Sequence, residues 1–401
     1  MNAFESACAY CKKQWEEIEG ISISSFPKIS QKQQIQNETY LQELLKEIEG
    51  FYEGQDFEML DAHMKQWFQR DEVWNLSWLS EEERETFYQI SKSFMRDARS
   101  FDDNICIEDI GQALRNVWII LILEKVCNRP LSYHKAIFAY SMLYPYTDNF
   151  LDDKDIEPKD KKEFNNWLSN RLMGIDTTYQ KENQKKVNEL VSMIESTYPR
   201  DSYEDVYRSL LHIQDGQKKS LLQSDIEDYQ TLLEISIEKG GASVLADGYL
   251  MDGTLSDEEY KFCISFGFML QIADDIQDIH EDYENGFHTL ASIQRQKRDC
   301  VSLCNAYFQY VHSVIHDICP NKDRKLRDFI EENCRLLIFF SLLKNTQYYT
   351  RSFLYQVQKR IPLRTSFLQS MNSNQEKWGF SHEEFIQKFD MYLQSNEIKI
   401  Q

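Results

Sequence analysis

Apolar residues return every three to four positions through most of this chain. No stretch alternates at period two, so the pattern predicts long helices and no strands. Ser80-Glu81-Glu82-Glu83 is a capping box opening a helix that runs to about Arg99. Further helices are expected over 104–126, from Ser132 to Phe150, over 203–222, and over 229–251 with an interruption at Gly240-Gly241. Pro145 lies late in the Ser132–Phe150 helix and is expected to kink or end it, freeing the Ser141 carbonyl. A charged loop and one surface helix fill 154–186. Ser256-x-x-Glu259 caps the next helix, and others follow at roughly 291–318, 322–349 and 351–371. Asn372-Ser373-Asn374 reads as a linker, and Ser381-x-x-Glu384 caps a last amphipathic helix. The chain thus divides into an N-terminal helical extension (1–100), a main α domain (101–371) and a C-terminal helical segment (372–401).

The helix after Ser256 changes character partway. Phe262, Phe266, Met269, Leu270 and Ala273 keep the spacing of a buried face, and then acids crowd in. Asp274, Asp278 and Asp282 stand at i, i+4 and i+8, which stacks their carboxylates along one side. Like charges so placed resist burial unless something neutralises them, and a hard divalent cation such as magnesium does so with carboxylates and phosphate oxygens. For one acidic helix end, a solvated face is the commoner explanation. A second cluster changes the weighing. Asp148 and Asp152 are again i, i+4, at the end of the apolar helix that starts near Tyr133. Packed side by side with their acidic ends together, the two helices would form one site in which metal ions hold a diphosphate. A calcium loop is disfavoured, because neither the Asp148 nor the Asp153 register has Gly at its sixth position.

Composition narrows the partners. A formal net charge of −21 opposes nucleic-acid binding, and an anionic substrate would have to be met by bound metal and local basic residues. The longest apolar runs, Val117 to Leu123 and Leu336 to Leu343, are too short for a membrane span. The first residues lack the pattern of a secretory signal. The nine cysteines are scattered, and Cys8-x-x-Cys11 has neither a second pair nor His partners, so it reads as two ordinary thiols in a reducing cytoplasm. Trp67, Trp74 and Trp78 read as packing residues. His280 and His288 flank the second acid cluster and read as solvent-facing or hydrogen-bonded. Monomer and homodimer both remain open.

Taken in order, these landmarks resemble the class I isoprenoid synthases, the superfamily of trans-prenyltransferases and terpene synthases. The likeness covers about Gly111 to Ser292. Asp148-Asn149-Phe150-Leu151-Asp152 resembles the first Asp-rich motif, with Asn149 for the usual second Asp. Gly216-Gln217 resembles the Gly-Gln of the following helix, and Lys239-Gly240-Gly241-Ala242 the lysine-bearing kink. Gln271-x-x-Asp274-Asp275-x-x-Asp278 resembles the second Asp-rich motif. Asp274, Asp278 and Asp282 also overlay the metal triad of terpene cyclases, with Asp where Ser/Thr and Glu are usual. Elongases bind isopentenyl diphosphate through a Gly-Gly-Lys-Arg-x-Arg segment; here Gly111-Gln112-Ala113-Leu114-Arg115 keeps the last arginine and lacks the lysine. The Arg-Arg-Gly after the first motif is absent, leaving Lys154, Lys159, Lys161 and Lys162 as the nearby cations. Where Gly-Lys is usual after the second motif, this chain reads Gly286-Phe287-His288-Thr289.

The resemblance implies an all-α, isoprenoid-synthase-type bundle around a central cavity, with extra N-terminal helices. It also implies magnesium-dependent ionisation of an allylic prenyl diphosphate. Asp148, Asp152, Asp274, Asp278 and Asp282 would hold the magnesium cluster, with Lys239, Arg115, Gln217 and Gln271 contacting the diphosphate. Tyr144 and Phe150 would line the hydrocarbon pocket, with Tyr140, Phe266 and Phe268 as further aromatic candidates whose simpler role is core packing. Tyr144 and Leu143 stand where bulk shortens the pocket. Loss of the elongase lysine favours a terpene synthase over a polyprenyl diphosphate synthase. A non-catalytic helical binding protein on the same scaffold is the third reading.

Overall fold

The computed structural model describes residues 2–54, 57–70, 76–153, 155–175, 178, 181–294 and 297–373. Every regular element among them is helical. The first four helices are α1 (Ala3–Glu16), α2 (Gln31–Gly54), α3 (Phe57–Arg70) and α4 (Glu81–Phe101). Next come α5 (Ile107–Val126), α6 (Lys135–Asp152), α7 (Pro158–Leu172), α8 (Glu182–Thr197) and α9 (Glu204–Ser220). Then follow α10 (Tyr229–Asp252), α11 (Asp257–Gln277), α12 (Ile279–Glu284) and α13 (Lys297–Ser313). The last three are α14 (Arg324–Lys344), α15 (Arg351–Gln358) and α16 (Thr365–Ser373). Capping boxes at Ser80 and Ser256 start α4 and α11 as their sequences require, and Asn2 with Glu5 does the same for α1.

Helix α10 is the axis of the bundle. Its buried positions, from Leu232 to Met251, fall on every side, the signature of a helix enclosed by others. It packs against α9 and α11 most extensively, and against α5, α6 and α1 as well. One hydrophobic cluster runs from Phe4 to Ile361. The N-terminal helix belongs to that cluster: Trp15 meets the rings of Phe268 and Tyr310 edge-on at 5.4 and 5.5 Å, and Cys11 Sγ lies 3.0 Å from the Tyr310 hydroxyl. At the other end, Glu38 of α2 accepts from the backbone N–H and guanidinium of Arg364 just before α16.

Several local expectations need correction. Gly240-Gly241 does not interrupt α10, which is continuous. The glycines are there because two backbones touch: a Cβ on Gly267 of α11 would stand 2.1 Å from the Gly240 carbonyl oxygen, and one on Gly240 would stand 2.4 Å from that of Gly267. Pro145 does not end α6, which continues to Asp152. The 154–186 stretch forms α7 and the start of α8, separated by 173–181, in place of one loop and one helix. The 291–318 helix begins later, at Lys297, and finishes in a π-helical turn, Val314–Ile318. The 351–371 helix is divided in two, with Pro362 between α15 and α16; proline cannot supply the N–H that a through-helix requires. Asn372 and Ser373, read as linker, are the last residues of α16. Trp78 packs against Phe329 at 4.8 Å between ring centres, whereas Trp74, the Trp67 side chain and the helix expected after Ser381 lie outside the described residues.

The helix contact yields a stability prediction. Gly267→Ala should cost about 1–3 kcal/mol, the range for overpacking, because only backbone can give way. Gly111→Ala, on an exposed part of α5 with nothing within 4 Å of the new methyl, should instead stabilise by roughly 0.5–1 kcal/mol. Thermal unfolding monitored by circular dichroism reads both. Equal melting temperatures for the two variants would dismiss the close crossing.

Candidate functional site

The Gly240–Gly267 contact decides which side chains share a pocket. It sets Lys239 of α10 beside the last turns of α11, where Gln271, Asp274 and Asp275 project, while Asp278 and Asp282 follow on the chain into α12. Helix α11 ends at Gln277, yet Asp278 N–H still donates to Asp274 C=O at 2.9 Å and Asp282 N–H to Asp278 C=O at 2.9 Å. The four-residue spacing of the acids therefore survives the helix end. Lys239, Gln271, Asp274, Asp278 and Asp282 all line one cavity of about 50 Å³, joined by Asp275. That volume suits an ion with a few waters.

Asp148 and Gln217 do not line this cavity; Asp148 is held against α9 instead. Gln217 Nε2 donates to Asp148 Oδ1 at 3.2 Å, and Thr147 Oγ1 donates to the same oxygen at 2.9 Å. Gly216, one residue before Gln217, lies against Lys239 so closely that a Cβ there would stand 3.2 Å from the lysine α-carbon. Contacts thus run from Asp148 near the end of α6 to Gln217 near the end of α9, and from the adjacent Gly216 to Lys239 in the middle of α10. Arg115 on α5 is exposed, and its charge reaches Asp274. Asn149 turns away, donating to Asp109 Oδ1 of α5 at 2.7 Å. Asp152 closes α6, and its side chain lies outside the described residues.

The electrostatics are those of carboxylates held together against repulsion. Burial, and after it the neighbouring Asp274, push the Asp275 carboxyl up to about 7, against the pull of its Gln271 hydrogen bond and of Lys239. Burial and then Asp275, with Asp278 and Asp274 adding to it, push Asp282 up to about 7, opposed by the Thr289 hydroxyl 3.2 Å from its Oδ2. Asp274 is also raised, chiefly by burial and then by Asp278, while Lys239 and Arg115 hold it down. Water still reaches Asp274, so it lines a concavity, hemmed in by protein and open on one side. Asp275 is 3% exposed: Oδ1 accepts from Gln271 Nε2 at 2.9 Å, and Oδ2 is buried with no hydrogen-bond partner. The Leu290 backbone also helps to hold this carboxyl down. An orphaned carboxylate oxygen among all-oxygen donors fits a hard divalent cation such as magnesium.

Other expected residues go elsewhere. Phe150 faces α7, its ring 4.6 Å from that of Phe164, in a separate surface cleft with Asp160, Glu163 and Lys181. Tyr144 lies at the surface of α6, 42% exposed. Phe268 is wedged between Trp15 and Tyr310, and Phe266 stacks on Phe262 at 5.4 Å. The Tyr140 hydroxyl donates to Ser243 C=O at 3.2 Å. The core-packing role suffices for Phe266 and Phe268. His280 Nδ1 lies 3.0 Å from the Tyr348 hydroxyl and His288 Nδ1 2.8 Å from Ile226 C=O, so both are hydrogen-bonded in place. Cys11 is buried and its thiol is pushed up to about 12, first by that burial; the Cys8 thiol is pushed higher still, again by burial first, so both are inert.

The pocket has members that the sequence reading left out: Asp275, Gln223, Ser236, Phe287 and Thr289. Asp275 was findable, because Gln271, Asp275, Asp278 and Asp282 themselves recur at i, i+4, i+7 and i+11. Gln223, whose Nε2 donates to His288 C=O at 2.9 Å, follows α9 in a short 3-10 turn and carries no local signal. Compared with known proteins, the chain matches no family model, and a search of the curated proteins finds no match either.

Asp275 and Asp282 bind protons more tightly in the folded chain than an ordinary carboxyl does. Their ionisation therefore costs stability as pH rises from the usual carboxylate range through about 7. The metal-free protein should melt lower at about pH 8 than at about pH 5.5, and Asp275→Asn should narrow the difference. Magnesium should raise the melting temperature at the higher pH and have little effect at the lower, since protons compete for the same oxygens. A magnesium effect independent of pH would contradict this account of the site.

Proposed function

We propose that this chain is a magnesium-dependent enzyme of the class I isoprenoid-synthase type, with the helical bundle of that superfamily, and that it ionises an allylic prenyl diphosphate. The observation that carries the reading is the convergence of Lys239, Gln271, Asp274, Asp275, Asp278 and Asp282 on one cavity, with Asp148 tied to the same seam through Gln217. Bound magnesium would supply the positive charge that makes pyrophosphate a leaving group. Asp274, Asp278 and Asp282 would hold it, with Asp148 and Asp152 as the further ligands that the resemblance implies. Lys239 makes no ion pair with any of these acids among the described residues, which leaves its ammonium available to a diphosphate oxygen. Arg115 would approach from α5. No nucleophile on the protein is needed.

A single-substrate terpene synthase is the preferred subclass, since Arg115 stands without the lysine that elongases place in the same segment. A cytoplasmic enzyme is proposed, supported by cysteines of which eight are buried or half-buried as unpaired thiols. None of the described helices is long and apolar enough to cross a membrane. One observation favours a silent relative on the same scaffold: about 50 Å³ of polar cavity holds no hydrocarbon tail, and Phe266 and Phe268 are packed into the core.

The assay is incubation with magnesium and geranyl, farnesyl or geranylgeranyl diphosphate, with and without isopentenyl diphosphate. A hydrocarbon or alcohol from the allylic substrate alone is expected. Longer diphosphates formed only with both substrates would indicate an elongase, and no pyrophosphate release would indicate the silent scaffold. Asp148→Ala and Asp274→Ala should each lower turnover by at least about 10²–10³-fold with helix content unchanged. Lys239→Ala should raise KM by roughly 10–100-fold, the loss of one charge-assisted hydrogen bond. Full activity in any of the three removes that residue from the site.

A further inference from the structure

A second cluster of metal-ligating side chains lies on elements that give the acidic pocket nothing. His312 stands in the last turn of α13, and His316 follows in the π-helical turn, Val314–Ile318. Four residues apart, they share one side of the helix, with ring centres 4.4 Å apart. Glu331 of α14 reaches across to both: one oxygen is 2.8 Å from His316 Nε2, and the other is 3.4 Å from His312 Nδ1. One ligand atom from each of the three residues lies within 4.8 Å of the others.

An ordinary hydrogen bond explains only half of this. Glu331 and His316 are at a good hydrogen-bond distance, but the His312 contact is long for one, and charging two imidazoles so close together would set them against each other. Metal–nitrogen and metal–oxygen bonds of about 2.0–2.2 Å place neighbouring tetrahedral ligands about 3.4 Å apart. The His312–Glu331 separation already has that value; the His316 contact is made to the other carboxylate oxygen, so one Glu331 oxygen serves both imidazoles only after the carboxylate rotates. The His312, His316 and Glu331 side chains are 46%, 33% and 18% exposed, so an ion can arrive from solvent and keep a water. Arg335, one turn further along α14, is held over the Phe26 ring at 4.7 Å and pairs with Glu332 at 3.8 Å.

We propose that His312, His316 and Glu331 bind one divalent transition-metal ion of the zinc class, clamping the end of α13 to α14 with one coordination position left to water. Two imidazoles and one carboxylate suit zinc, cobalt, nickel or copper, whereas magnesium and calcium prefer all-oxygen sites. This site is independent of the acidic pocket and of the activity proposed for it.

The test is titration of the chelator-stripped full chain with cobalt(II), followed by zinc(II). One equivalent of cobalt should give the visible bands of a four-coordinate nitrogen–oxygen site, without thiolate-to-cobalt charge transfer, and zinc should erase them. His312→Ala/His316→Ala should weaken this binding at least tenfold, while Asp274→Asn/Asp278→Asn should leave it unchanged. His312→Gln gives the same reading if the double variant fails to fold. Absence of the bands, a thiolate band from the cysteines, or equal binding by His312→Gln would overturn the proposal.

Discussion

Two helix backbones in contact fix the geometry on which the rest of the molecule depends. Where Gly240 and Gly267 meet, neither helix has a side chain to hold the other off, and α10 and α11 lie closer than any larger residue would permit. Lys239 is then delivered to the acids at the end of α11. A second approach of the same kind, Gly216 against Lys239, brings Gln217 and through it Asp148 to the seam. The make-up of the pocket is therefore partly a result of packing: small residues allow the helices to close, and closure sets Lys239 beside carboxylates that α11 and α12 already carry on one side.

That crowding has a physical cost, visible in Asp275 and Asp282, both pushed up to about 7 by burial first and neighbouring carboxylates second. A fold that buries Asp275 next to half-buried acids and leaves one of its oxygens without a hydrogen-bond partner among the described residues keeps a polar group at a disadvantage. A cation shared by those oxygens, as proposed, would offset the penalty.

Much of this was legible along the chain. Helical periodicity and the caps at Ser80 and Ser256 mark α4 and α11, and the four-residue spacing of Asp274, Asp278 and Asp282 puts them on one side. Local rules failed where tertiary contact overrides them. A Gly-Gly pair in isolation weakens a helix, but in α10 it is a docking surface. Pro145 is tolerated inside α6. Periodicity tells that Phe266 and Phe268 face inward, yet cannot tell a packed core from the wall of a hollow. Phe150 was misplaced for a related reason: one turn near a helix end decides between the acid seam and the cleft beside Phe164. Gln223 and Thr289 enter the pocket from connecting segments, where no spacing marks them.

Calorimetric titration with inorganic pyrophosphate, in the presence and absence of magnesium, addresses the central claim without requiring the right hydrocarbon. If the crowded carboxylates act through shared cations, pyrophosphate should bind only when magnesium is present, and Asp274→Asn/Asp278→Asn should abolish the heat. Pyrophosphate binding that ignores magnesium, or that survives in the double variant, would contradict it.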